Sequence, residues 1–375
     1  MSHLDGLTAG LNATTVATDH GAGPNIRASV VPRDWMVLVR SGKLPPQLLS
    51  RLLAGIASND PRLTLGPRPG EDAAIIDLGN QSLVVTTDPI TFVSEHAAWY
   101  AVQVNANDIA AMGADPAWLA VTILLPTSSS DADIEPLFQQ LRTACNELGV
   151  SVVTGHTEVT PAVIRTVIVG TMLGLAPAGD AVTSGGALIG DAVILAGPIA
   201  VEGTATLAIE AATVLRDKGL TRKDLAVAAG LLFHPGISVV PASRVIRRIT
   251  RPHALHDATE GGVATALREV AFASGVGMKL NSREFPVLSL TTRICEALEI
   301  SPMGLISSGC LIAVVAANDA ESVVAGLESE GIVAAVAGYA TANRDLVLRT
   351  ESGAVGLPEF DRDELARYLD ENASG

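Results

Sequence analysis

TTDPITFVSEHAAWYAVQVNANDIAAMGADP, residues 86–116, joins the end of one element to the whole of the next, and its reading decides the fold. Just upstream, Leu83-Val84-Val85 runs into Thr86-Thr87 as a β-branched, apolar series that predicts a buried strand. Asp88-Pro89 is expected to end that strand, because the residue before proline is steered away from helical space, and this puts Asp88 at a strand tip. From Ala97 to Met112 the good helix formers and the spacing of Trp99, Val102, Ile109 and Met112 predict a helix that Gly113 closes. Asn105 and Asp108 stand one turn apart on it and share a face. Burying an unpaired carboxylate among Ala, Val and Ile costs on the order of several kcal/mol, and a cation removes the penalty. Asp88 and Asp108 offer the oxygen ligands that a hard divalent ion such as Mg²⁺ takes together with the phosphates of a nucleotide. A turn acid at Asp88 and a solvated face for Asn105 and Asp108 account for the same residues.

Composition narrows the function classes. A chain of 375 residues fits about two domains. With 48% hydrophobic and 17% charged residues it can fill a large core, and with 3% aromatics that core is built from Val, Ile, Leu and Ala. A net charge of −15 argues against nucleic acid or an anionic membrane surface as partner, while a phosphate ligand neutralised by metal stays compatible. Long apolar stretches are interrupted by Asp, Glu, Arg or Pro before membrane-spanning length and no signal peptide is evident, so a cytoplasmic protein is expected. Cys145, Cys295 and Cys310 are too few and too scattered for a disulfide framework or a zinc site.

Residues 1–31 are expected to form an extension, with Gly21-Ala22-Gly23-Pro24 as a leader or a phosphate-covering loop. Ser41-Gly42-Lys43 precedes a short amphipathic helix carrying Leu48, Leu49, Leu52 and Leu53, and Lys43 is placed to reach a phosphate. Glu71-Asp72 follow a Gly- and Pro-rich turn at the start of a strand, as neighbouring carboxylates that repel unless a cation lies near. Strands are expected at 119–125, 150–153 and 163–175, and a helix at 131–148. A shift to Gly, Pro and Ser at 176–186 marks a domain boundary. Beyond it, strand signals at 193–195, 310–316 and 332–338 mix with helix signals at 202–216, 239–249, 260–273, 319–329 and 361–370, which describes an α/β (α+β) layer domain around a single core. His256-Asp257-Ala258-Thr259-Glu260-Gly261-Gly262 opens one of those helices. Its exposed N–H groups favour an anion, with Gly261 and Gly262 leaving room for a phosphate, and an ordinary N-cap by Asp257 or Thr259 explains the same residues. Neither a P-loop nor a dinucleotide fingerprint is present.

Taken in order, GEDAAII (70–76), TTDPITF (86–92), VNANDIAAMGADP (104–116), TGHTEV (154–159) and HDATEGGVATALREVA (256–271) resemble the aminoimidazole ribonucleotide (AIR) synthetase superfamily over roughly residues 40–350. The resemblance implies a two-domain AIR-synthase-like fold. Residues 32–176 would be an N-terminal domain that binds ATP and Mg²⁺ and contributes strands to a barrel across a homodimer, and 177–350 a C-terminal α/β layer domain, with 351–375 as terminal helix and tail. Asp72, Asp88 and Asp108 fall on the superfamily's metal-binding carboxylates, with Glu71 beside them and Asn105 nearby, and Asp257 falls on the acid of the second domain's motif. The shared chemistry so implied is ATP-dependent activation of an oxygen, usually of an amide or phosphate, with Mg²⁺ neutralising the polyphosphate.

Departures from the pattern bear on the substrate. Where the thiamine-monophosphate kinase and hydrogenase-maturation branches carry Asp in the 154–157 motif, His156 stands here, so His156 is expected to contact phosphate or substrate and Glu158 the metal. No cysteine precedes Lys43 as in selenophosphate synthetase, and the closing Asp370-Glu371-Asn372-Ala373-Ser374-Gly375 lacks the Pro-Arg-Ile-Cys tail of the hydrogenase maturation factor. His234, before Pro235-Gly236, is a further candidate contact. The expected protein is an enzyme that phosphorylates an oxygen of a small or protein-borne substrate, with dehydration or cyclisation following in some relatives. A simple small-molecule kinase and a non-catalytic ATP-binding maturation scaffold are the alternatives.

Overall fold

The computed structural model describes residues 44, 46–56, 59–68, 70–91 and 95–372; Lys43 and the Gly21–Pro24 run lie outside them. The first half is built from α1 (Pro46–Leu53), β1 (Leu63–Leu65), β2 (Ala74–Asp77), β3 (Gln81–Ile90), α2 (Ala97–Ala111), β4 (Asp115–Leu125), α3 (Asp131–Leu148), β5 (Ser151–Val159) and β6 (Val167–Pro177). Its strands form one sheet in the order β1-β2-β3-β6-β4-β5, antiparallel except where β4 runs beside β5. Burial alternates along the strands with the two-residue period of a sheet covered on one face: on β6, Ile168, Gly170, Met172, Gly174 and Ala176 turn inward. A Cβ on Gly170 would run into the Asn105 side chain and one on Gly174 into Ile109, so these two glycines let α2 lie directly on the strand backbone.

Asp88-Pro89 does not end β3. Its pairing with β6 continues through Asp88↔Gly170 to Ile90↔Ile168. The proline bias expels the helical conformation from the preceding residue but leaves the extended one, which a strand accepts.

The second half runs β7 (Ala192–Ala196), α4 (Val201–Glu210), α5 (Ala212–Asp217), α6 (Arg222–Gly230), α7 (Val240–Ile249), β8 (Ala254–Asp257), α8 (Gly262–Ser274), β9 (Gly277–Asn281), α9 (Ser289–Leu298), β10 (Leu311–Val315), α10 (Ala320–Ser329), β11 (Ala334–Thr341), β12 (Leu346–Thr350), β13 (Gly353–Gly356) and α11 (Glu364–Asn372). Its sheet has the order β13-β12-β9-β11-β7-β10-β8 and is antiparallel except between β12 and β9. Every residue of AVILA in β7 and LIAVV in β10 is buried, as happens when helices cover both faces. The expected single core is therefore two. Val193, Leu195, Ile312 and Val314 pack with α4, α8 and α9, whereas Ile194, Leu311, Ala313 and Val315 pack with α7 and α10 in a core continuous with that of the first sheet. The helix expected over 202–216 breaks at Ala211 into α4 and α5.

The element shared by both halves is α2. All of its residues but Val104 are buried, the condition of a helix packed on every side. One side lies on β3, β6 and β4. The other is tied to the second half by polar bonds: the Asn107 amide donates to Ile237 O (2.7 Å) and accepts from Val239 N (2.9 Å), and Ser243 Oγ donates to Ala110 O (2.7 Å). Residues 222–249 are long and apolar enough, by length and composition alone, to cross a membrane. They are divided into α6 and α7 where His234 leaves helical geometry (φ −143°, ψ 102°).

Candidate active site

Four acids from four segments meet around the middle of α2. Asp108 projects toward β3, where the Thr86 hydroxyl donates to its Oδ2 (2.7 Å) and also to Asp72 O (3.1 Å). Asp88 shares the helix-facing side of β3 with Val84 and Thr86, and Asp257 ends β8, which packs on α2. Burial raises the Asp108 carboxyl well above its ordinary range, and the like charges of Asp257, Asp88 and Asp72 push it further, with the Thr86 bond opposing them. Asn105, expected to contact cofactor, holds backbone instead: its Oδ1 accepts from Asp88 N (3.0 Å), and its Nδ2 donates to Ala101 O (2.8 Å) and Asp88 O (3.4 Å). Beyond Val85 the strand β2 no longer covers that edge of β3, and the Asn105 amide takes its place, fixing Asp88.

Asp72 is not left to repel its neighbours. Its Oδ2 lies 2.9 Å from Nδ1 of His256, whose Nε2 lies 3.0 Å from Glu269 Oε2, while Ser184 Oγ sits 3.0 Å from the same Nδ1. Burial lowers the basicity of His256, but Asp72 and Glu269 on either side outweigh it and raise the imidazole well above its usual range. Glu71 accepts from Ser184 N (3.1 Å), and burial first, with Asp72 beside it, raises its carboxyl.

The start of α8 departs from the expected phosphate cradle. Gly261 N donates to Asp363 Oδ2 (2.7 Å), Gly262 N to Thr259 O (3.0 Å) and Ala264 N to Met303 O (3.0 Å), so the chain itself takes these N–H groups. A Cβ at Gly262 would collide with the Met303 and Leu305 carbonyls, so close packing of the 301–308 loop explains that glycine. His156 and Glu158 also lie apart from the acids. They bond each other (3.1 Å) on β5, beside Thr122 and Leu124 on the sheet face turned away from α2. One chain thus joins Asp72, Asp88, Asp108 and Asp257, and leaves His156 and Glu158 on the opposite side of the sheet.

Family models for the AIR synthase related protein match residues 70–176 (N-terminal domain) and 189–351 (C-terminal domain). The chain belongs to the AIR synthase related family. A carbamoyl dehydratase, HypE, from Cupriavidus necator is 30% identical over 76% of this chain and 79% of its own length. The structure of a HypE–HypF complex matches 84% of this chain and 99% of its own with a TM-score of 0.69 at 23% identity, and that of HypE in complex with ATP matches 87% and 98% with a TM-score of 0.62 at 25% identity.

In this AIR synthase related chain the donor set around α2 consists of hard carboxylate oxygens, and the mutual repulsion recorded at Asp108 is what a divalent cation relieves. Among the described residues no three His, Cys, Asp or Glu side chains converge closely enough to hold a metal ion alone. An ion seated here would complete its shell with ligand oxygens, as Mg²⁺ does on a polyphosphate. The residue that sequence reading passed over is His256, quoted within its motif but given no role. Its signal was a histidine one residue before the end of a short strand, which must find partners when buried. Nothing in the sequence marked Ser184.

Proposed function

We propose that this AIR synthase related protein is an ATP- and Mg²⁺-dependent enzyme that activates an oxygen of a small or protein-borne substrate by phosphoryl transfer, with dehydration or cyclisation as the following step. The observation that carries the reading is Asp108, buried and pressed by three further acids that α2, β3, β8 and the turn before β2 bring together. Asp72, Asp88 and Asp108 would hold Mg²⁺, and Asp257 would face them from the second half. The bound ion supplies charge neutralisation for the polyphosphate. The chain's own groups set the geometry: Thr86 orients Asp108, Asn105 fixes the backbone of Asp88, and His256 holds Asp72 in place. The likeness to a protein named carbamoyl dehydratase and to a HypE structure holding ATP supports this chemistry.

The domains of this reading are residues 32–176 and 177–350, and the working unit is a homodimer. The sheet face away from α2 carries half-buried Leu83, Val85, Leu124, Val169, Leu173 and Leu175, and β5 is an edge strand whose every residue is exposed. An apolar face beside an open edge is a surface for pairing with a second sheet. His156 and Glu158 would then line the dimer interior, where substrate contact is open to them. The test is ATP turnover with and without Mg²⁺, using cell extract as the source of second substrate. Wild type is expected to turn over only with Mg²⁺, and Asp88→Asn and Asp108→Asn to fall by about a hundredfold or more. Turnover that survives both substitutions overturns the assignment.

A further inference from the structure

One face of the second sheet is covered over only part of its width. There α10 packs on β7 and β11, with α7 beside it. Helices pack roughly 8–10 Å apart and strands about 4.8 Å, so one helix covers about two strands. The next place in that layer, over β9, β12 and β13, holds no helix among the described residues. The opposite side of these strands is closed, since Met278, Leu280 and Leu348 point into the core shared with α4, α8 and α9.

The residues that alternate with them form the open face. Strand pairing sets Tyr339 beside Lys279, Lys279 beside Val347, and Arg349 beside Asn281. Tyr339 is 50% exposed, and Lys279 and Arg349 are exposed as well. On the outermost strand, Ala354 and Gly356 stand next to Arg349 and Val347 and add almost no side chain. The result is an open cleft of about 650 Å³ lined by Lys279, Asn281, Glu284, Tyr339, Val347 and Arg349. Lys279 and Arg349 are diagonal neighbours on adjacent strands, with Cα atoms about 8 Å apart by strand geometry. Like charges so placed repel. The acids nearby have other partners: Glu284 accepts from Asn281 Nδ2 (3.2 Å), and Glu351 pairs with Arg283 (3.2 Å). Among the described residues neither Lys279 nor Arg349 has a hydrogen-bond or ion-pair partner. Even with Glu284 counted, the cleft is positive in a chain whose net charge is −15.

We propose that this face docks an acidic amphipathic helix of a partner protein, laid in the vacant helix position beside α10. The apolar side of that helix packs on Val336, Val347 and the Tyr339 ring, and carboxylates along its flank pair with Lys279 and Arg349. Carboxylates one turn apart on a helix have Cβ atoms about 5–6 Å apart, within side-chain reach of both cations. The face is separate from the nucleotide site. In the order of the sheet, β8, which ends in Asp257, and β13 are opposite edges, and β8 lies four strand spacings, or about 19 Å, from β9. The cleft therefore selects a partner and takes no part in the chemistry.

The test is fluorescence anisotropy on the full chain, with a fluorescein-labelled amphipathic helical peptide of Leu, Ala and Glu and with its twin carrying Lys for every Glu. Saturable binding of the Glu peptide and none of the Lys peptide is expected. Lys279→Glu combined with Arg349→Glu is expected to weaken the Glu peptide by about tenfold or more. Should that protein fail to fold, judged by its melting temperature, Lys279→Gln combined with Arg349→Gln carries the comparison, with a weakening of about threefold expected and none overturning the proposal. Arg222→Glu combined with Lys223→Glu, at exposed positions on α6, controls for charge alone and is expected to leave binding within about twofold of wild type. No saturable binding, equal binding of the two peptides, or equal loss in the cleft and control variants overturns the proposal. Sedimentation of wild type and of the Lys279→Glu, Arg349→Glu protein should find the same oligomeric state. A smaller assembly in the variant shows that a second copy of the chain covers this face, and overturns the partner helix.

Discussion

Asp108 and Glu202 show opposite solutions to the same problem, a carboxyl buried among acids. Asp108 has a hydroxyl donor in Thr86 and three acids around it, whereas Glu202 has Ser308 on one oxygen and nothing on the other. Burial first, then Asp363 and Glu260, pushes the Glu202 carboxyl from 4.5 up to about 7. The native state therefore binds this proton more tightly than the unfolded chain does. The stability that goes with it is complete below about pH 4.5 and is lost as pH rises to about 7. Glu202→Gln removes the titration, and its stability measured by urea unfolding should fall less than wild type between these limits, by about 3 kcal/mol. An identical pH slope in both proteins would contradict the assigned burial. Asp363, raised to about 6, and Asp108 contribute with the same sign and leave the variant a residual slope. At this scale the sequence was legible where an acid stands in an apolar run, as Asp88 and Asp108 do. It was not legible for Asn105 or His256, because whether an amide meets a ligand or a strand edge, and which carboxylates flank an imidazole, depends on partners 13 to 184 residues away.

Among the elements, α2 was readable almost to the residue, because its helix formers run unbroken until Gly113, whose φ of +69° suits no other residue as well. The edge strand β5 was half missed. TGHTEV has the Gly and polar content of a loop, and an exposed edge strand accepts such residues since neither face needs to be apolar. The glycine pair at α8 stayed ambiguous for a related reason: close backbone approach calls for glycine whether the visitor is a phosphate or another loop. The contact that seats α2 can be tested directly. Gly170→Ala places a methyl group against Asn105 and should lift the helix from β6, lowering stability by about 1–3 kcal/mol in chemical denaturation and weakening nucleotide binding with it. A neutral effect on both would show that Asn105 does not position Asp88.

At the scale of the molecule, two sheets, a shared central helix and a core running from one half into the other bring acids of both halves near Asp108. The two-domain character was legible from the alternation of strand and helix signals and from five motifs in order. The double-sided core of the second sheet was not, since an all-apolar five-residue strand reads the same whether one helix layer or two cover it. The open apolar face of the first sheet predicts a dimer, and sedimentation at micromolar concentration should find one; a monomer would remove His156 and Glu158 from the site altogether. The most direct measurement of the central claim is calorimetric titration with AMPPCP. Binding that requires Mg²⁺, disappears with EDTA and weakens by about tenfold or more in Asp108→Asn is predicted. Affinity unchanged by EDTA or by Asp108→Asn would contradict the account.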